Sequence, residues 1–279
     1  MSNEKELTIP DPNCLAAGSH EQKAEAVGLG KTANDPVRVI VLAIMAGLQI
    51  GCGALLMTLV KSDSTLSFGV AQVLGGACFA LGLICVIVAG AELFTGNNLM
   101  VMGALSKKYT WGALIKNWVI VWFGNLLGSL ILVAIVAGCA TWTMNSGAMG
   151  DTMVSVATSK ISLSWPTIFL RGIMCNFLVC LAVWMGFAGK SVIDKIFTTV
   201  FPVMAFVALG FEHCVANMFF LPMGLAAYAN GFGAGVANAA SCMNVAGVVF
   251  NISAATLGNI VGGAIFVGVI YWVAYRKKK

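Results

Sequence analysis

Hydrophobic and polar positions divide the chain into six long apolar blocks joined by shorter polar stretches, over about 36–60, 68–105, 112–142, 165–188, 196–227 and 245–275. Each is on the order of 20 residues or more, enough for a helix to cross the hydrocarbon core of a bilayer. Two blocks are interrupted in the middle. Block two contains "AELFTGNNLM" and block five "FEHCVANMFF". Superposing Glu92 on Glu212 also superposes Asn97 on Asn217, five residues on in each case. Blocks three and six share "FGNLLGSL" and "LGNIVGGA", which pair Asn125 with Asn259, and blocks one and four open at Pro36 and Pro166.

Three correspondences in the same order predict two three-helix halves, about 36–142 and 165–275. Three is odd, so the second half inserts upside down, and in such folds the broken helices meet near the bilayer midplane. Irregular backbone at that depth must be buried in protein or line a cavity. The expected fold class is an all-α membrane protein of six transmembrane helices in two inverted repeats, with helices 2 and 5 broken. Glycines at small-x-x-x-small spacing, such as Gly124 with Gly128 and Gly258 with Gly262, suit close helix packing.

Composition agrees. Of 279 residues, 59% are hydrophobic and 10% charged, with mean hydropathy +0.91, whereas soluble domains carry about a quarter charged residues. The first 35 residues mix acids and bases, unlike a cleavable signal. Most basic residues fall in or beside the two tails and connections two and four: Lys5, Lys23, Lys31, Arg38, Lys107, Lys108, Lys116, Lys190, Lys195 and Arg276 to Lys279. The positive-inside rule then places both termini in the cytoplasm, as expected of a multi-pass protein of the inner membrane. The net charge of +5 is thus an orientation signal; no basic run interleaved with aromatics points to nucleic acid. Nine cysteines include no C-x-x-C pair or Cys/His cluster, so neither metal nor cofactor is expected. Residues 1–35 form a cytoplasmic segment, 36–275 the membrane domain and 276–279 a basic tail.

Burying polar groups in such a block costs free energy unless they are partnered or used. A lone buried histidine is ordinarily a hydrogen-bonded core residue. His213 sits at the second break, and its unperturbed pKa near 6.5 suits proton hand-over or pH sensing. Glu92 and Glu212 would repel an anion, so they are expected to be structural, capping broken-helix N–H groups or pairing with a cation such as Arg171. An enzyme using Glu212 and His213 as an acid/base pair is the rival from another class. Neighbours on a helix point about 100° apart, and no nucleophile or cofactor fingerprint accompanies them.

At "AELFTGN", "KNWVIVWFGNLLGSL", "NFLVCLAVWMGFAGKSVIDK", "FPVMAFVALGFEHCVANMFFLPMG" and "LGNIVGGAIFVGVIYWVAY" the chain resembles the formate/nitrite transporter family, over about 36–275. The resemblance implies an aquaporin-like protomer, a homopentamer in membrane lipid with one pore per protomer, and passage of small monovalent anions. Formate is the expected substrate; acetate, lactate, nitrite and hydrosulfide are the family's other anions. The paired Asn-Pro-Ala boxes of a true aquaporin are missing. By the same resemblance, His213, Thr95 and Asn176 meet in the pore and Lys160, in a loop, attracts anions at the outer mouth. Phe79, Leu83 and Phe206 form an outer apolar constriction, and Leu93 and Phe94 an inner one. Either His213 supplies a proton so that a neutral acid crosses, or its positive charge lets the anion itself cross. The resemblance also implies that the N-terminal segment can fold beneath the pore and close it in a pH-dependent way; the plain alternative is a disordered tail.

Overall fold

The structure, a computed structural model, describes residues 14–276. Lys5 and Lys277 to Lys279 of the orientation argument lie outside them. Among the described residues every helix or strand element is helical. A 14-residue helix, α1 (His20–Ala33), precedes α2 (Pro36–Lys61). Helix α3 (Phe68–Cys85) widens into a π-turn over Val86–Gly90, then breaks; a 3-10 turn over Gly96–Met100 and the short α4 (Val101–Leu105) complete that crossing. Helix α5 (Trp111–Gly138) closes the first half.

The second half repeats the order. Helix α6 (Ala148–Ile161) precedes α7 (Trp165–Ala188), and the broken crossing is α8 (Val192–Ala208) followed by α9 (Cys214–Ala229). After the short α10 (Ala239–Cys242), helix α11 (Val245–Ile260) runs through a π-helical stretch, Val261–Val269, into α12 (Ile270–Tyr275). Five helical spans are long and apolar enough to cross a membrane alone. The sixth crossing is divided between α8 and α9 by the break at 209–213.

Local chemistry explains where these helices begin. First-turn N–H groups have no intrahelical acceptor, and at these exposed helix starts a side-chain oxygen supplies one. Asp35 accepts from the Val37 N–H ahead of α2, Thr110 from Ala113 ahead of α5, Ser164 from Thr167 ahead of α7 and Asn244 from Gly247 ahead of α11. Helix α8 opens with a reciprocal Ser191/Asp194 capping box.

Glycine brings the outer helices together. A β-carbon on Gly128 would run into the Ile44 carbonyl of α2, and one on Gly262 into the Ile173 carbonyl of α7. The two contacts occupy equivalent places in the repeats. Residues of α1 share a surface cavity with Trp272 and Arg276, so both described ends lie on one side, called here the termini side. The side bearing α6 is the far side.

Candidate functional site

His213 ends the second break and caps α9: its Nδ1 accepts the Ala216 N–H at 3.0 Å. An accepting Nδ1 carries no hydrogen, so in the neutral ring the proton sits on Nε2. That N–H points at Thr95 Oγ1, 3.0 Å away on the first break. The Phe206 ring stacks on the imidazole with centroids 5.8 Å apart and planes inclined by 16°. The Thr95 carbonyl is held by Asn176 Nδ2 at 3.2 Å and Cys180 Sγ at 3.3 Å. Asn176 also donates to the Asn259 carbonyl at 2.7 Å. Residues 118 positions apart thus meet where the breaks face each other.

Around this pair stand two matching polar frames. Asn97 Nδ2 donates to Glu92 Oε2 at 2.7 Å and to Asn117 Oδ1 at 2.9 Å. Asn217 Nδ2 donates to Glu212 Oε2 at 2.6 Å and to Asn251 Oδ1 at 2.7 Å. Asn125 accepts the Phe94 N–H and donates to the carbonyls of Ala43 and Glu92; Asn259 accepts the Cys214 N–H and donates to those of Gly172 and Glu212. Each break is therefore fastened to the helix before it and the helix after it. Each glutamate also has a cation: Lys31 of α1 lies 2.7 Å from Glu92 and Lys160 of α6 lies 2.9 Å from Glu212.

These contacts correct several sequence expectations. Lys160 is on a helix, not in a loop, because 14 residues fold as α6 ahead of α7. The cation on Glu212 is Lys160 rather than Arg171, whose Nη1 instead donates to the Gly210 carbonyl at 3.4 Å. The glutamate side chains cap no helix; they accept from Asn97, Asn217, Asn251 and the two lysines. The N-terminal segment is helical over His20–Ala33 and lies against the membrane domain. Lys23 Nζ donates to the Phe187 carbonyl at 3.0 Å.

Two cavities flank the centre. The termini-side one, about 350 Å³, has Lys31, Arg38, Leu83, Glu92 and Leu93 in its wall and α1 across it. The far-side one, about 180 Å³, is lined by Lys61, Phe79, Lys160, Arg171, Phe206, Glu212, His213 and Phe220, among others. Phe79 and Phe206 meet edge to face with centroids 5.7 Å apart, and Phe220 stacks on Phe79 at 6.3 Å. Leu83 thus faces the termini-side cavity with Leu93, not the far side with Phe79. Phe94 lies outside both cavity walls and packs on Trp118. Phe220, Asn117 and Asn251 join the site without standing out in the sequence pattern. The two asparagines carried a signal, each standing eight residues ahead of Asn125 or Asn259.

Two inverted repeats, a polar break in each, and a histidine–threonine contact between two cavities define an integral membrane protein with an aquaporin-like fold. A family profile described as "Formate/nitrite transporter" matches residues 20–273, and the chain belongs to that family. It is 38% identical over 263 residues to the formate channel FocA of Escherichia coli (strain K12), covering 91% of this chain and 92% of that protein. It is 40% identical over 282 residues to a probable formate transporter of Methanothermobacter thermautotrophicus, covering 95% of each. A solved structure described as a pentameric formate channel with formate bound superposes with a TM-score of 0.75 at 38% identity, over 87% of this chain and 98% of that one. These relatives are channels and transporters, and the chain is not an enzyme.

Proposed function

We propose that this chain carries formate across the cytoplasmic membrane as a homopentamer, with both termini in the cytoplasm and one pore through each protomer. The far side is then the outer face. The observation that carries the proposal is the Nε2–H of His213, aimed at Thr95 between two cavities that are otherwise closed off by Phe79, Phe206 and Leu93. A bare carboxylate faces an idealised desolvation cost of order 20 kcal/mol in hydrocarbon. A hydrogen-bond donor held where water is excluded offsets part of it, and Thr95 yields its place to the anion. The homology to a formate channel and a probable formate transporter supports formate over the family's other anions.

Both crossing modes considered above begin from an imidazolium. Charging the ring puts a hydrogen on Nδ1, where it would face the Ala216 N–H. Protonation of His213 therefore goes with release of the α9 cap, which ties any proton coupling to a movement of the second break.

Formate, nitrite and hydrosulfide uptake into liposomes holding the purified protein tests the proposal. Formate is expected to pass fastest. Nitrite or hydrosulfide flux without formate would overturn the substrate, and no flux of any of them would overturn the channel.

Helix α1 supplies a gate. It covers the termini-side mouth and is latched by Lys31 on Glu92. Its Glu21 is pushed up to about 7 by burial and by the hydrogen bond and charge of Glu25, against the lowering effect of Lys108. Lys107 and Arg276 line the same surface cavity. An acid with a raised pKa favours docking in its protonated form, so docking is strongest below the ordinary glutamate range and weakens as pH rises through about 7. Flux is expected to be lower at pH 5.5 than at pH 8. Glu21→Gln, which cannot ionise, should hold the low-pH behaviour at both. An unchanged pH profile in that variant would remove Glu21 from the gate.

A further inference from the structure

Three cations line the far-side cavity. Lys61 comes from the end of α2, Lys160 from α6 and Arg171 from α7, while Glu212 is the carboxylate in the same wall. They are not equivalent. Lys160 is matched by Glu212 at 2.9 Å, so from the cavity that pair is closer to a dipole than to a charge. No carboxylate of the described residues lies within ion-pair distance of Lys61 or Arg171. The guanidinium makes one long contact, to the Gly210 carbonyl at 3.4 Å, and a guanidinium has five donors. The Lys61 stem lies over Gly75 of α3. With His213 neutral, the wall carries an excess of two positive charges beside the Phe79, Phe206 and Phe220 rings.

Half-buried cations against apolar walls hold anions more strongly than solvated surface charge does, because the walls focus the field. A planar guanidinium also receives two oxygens of one oxyanion at once. We propose that Lys61 and Arg171, rather than Lys160, form an oxyanion-binding subsite at the far mouth, ahead of the apolar ring. A carboxylate monoanion waits there before passing to His213. A tetrahedral dianion such as sulfate binds the same two cations and stays, since shedding water from two charges at the ring is far costlier. The termini-side cavity has a cation of its own, Arg38, with no carboxylate among the described residues within ion-pair distance, but it stands in the first turn of α2 and is not the repeat counterpart of Arg171. By the matching contacts of Glu212 N–H to the Arg171 carbonyl and Glu92 N–H to the Leu42 carbonyl, the counterpart of Arg171 on the termini side is Leu42.

The inference rests on the channel proposal, and the test separates the two. Formate uptake is measured at constant ionic strength, with and without sulfate, for wild type and for Lys61→Gln combined with Arg171→Gln. The half-saturating formate concentration should rise roughly tenfold in the double variant, at the low end of the enrichment such clefts produce. Sulfate should compete in the wild type and not in the variant, while Lys61→Arg keeps both properties. Equal half-saturation and equal sulfate sensitivity would overturn the subsite while leaving the channel standing; a wild type without formate flux would overturn the channel first. Calorimetric titration of sulfate into detergent-solubilised wild type guards against a variant that fails to fold. One saturable site per chain is expected, and its absence from the wild type would overturn the subsite by itself.

Discussion

His213→Asn is expected to fold and assemble like the wild type and to lose most of its formate flux. The substitution separates two jobs that the imidazole performs at once. Asparagine is a good N-cap, so its side-chain oxygen can take over the Ala216 N–H that Nδ1 now accepts. It cannot reach Thr95 as the Nε2–H does at 3.0 Å. A hydrogen bond to a charged group contributes about 1.5–3 kcal/mol, so flux should fall roughly ten- to hundredfold with little change in thermal stability. His213→Ala should lose flux as well and give up about 1 kcal/mol of stability with the cap. Uptake assays beside thermal unfolding in detergent resolve the two effects. Wild-type flux in His213→Asn would take the donor role away from this residue.

Lys160→Ala is expected to be among the most destabilising single changes in the membrane domain. It leaves the Glu212 carboxylate, whose side chain is 1% exposed, without a counter-charge. Removing one partner of a buried ion pair costs about 3–5 kcal/mol. The hydrogen bonds from Asn217 and Asn251 remain, which places the expected loss near the lower figure. Lys160→Met combined with Glu212→Gln should recover much of it, because no charge is then left unanswered. Lys31→Ala should cost less, since the side chains of Lys31 and Glu92 are 21% and 6% exposed and water can replace part of the pair. A double variant no more stable than Lys160→Ala alone would show that the charge pair is not what holds α6 on the second break.

Much of the frame is readable in the sequence. Glu92 with Asn97 and Glu212 with Asn217 stand five apart because one turn of backbone must place the asparagine amide on the carboxylate, and that requirement is local. Asn117 and Asn251 were equally readable, eight residues ahead of Asn125 and Asn259, but an asparagine on an otherwise apolar helix gives no hint of its partner. The site chemistry breaks the repeat that the frame obeys. Counting from the glutamates, His213 stands where the first half has Leu93, and Thr95 where the second has Val215. Sequence symmetry therefore finds the breaks and is silent about which side chains meet between them; the meeting of His213 with Thr95 was expected from the family resemblance alone.

Hydropathy and spacing along the chain were sufficient for the crossings, the two inverted halves and the two breaks. Each follows from neighbours within a turn or two and from the rule that an apolar solvent leaves no backbone group unpaired. Only the folded arrangement assigned Lys31 and Lys160 to their glutamates, left Lys61 and Arg171 without one, moved Leu83 to the termini-side cavity and put the His213 proton on Nε2. Those outcomes turn on ångström-scale approach between segments 50 to 120 residues apart, such as Lys160 with Glu212 and Thr95 with His213. A charge or ring acquires its role from what it faces, and the order of residues along the chain does not contain that.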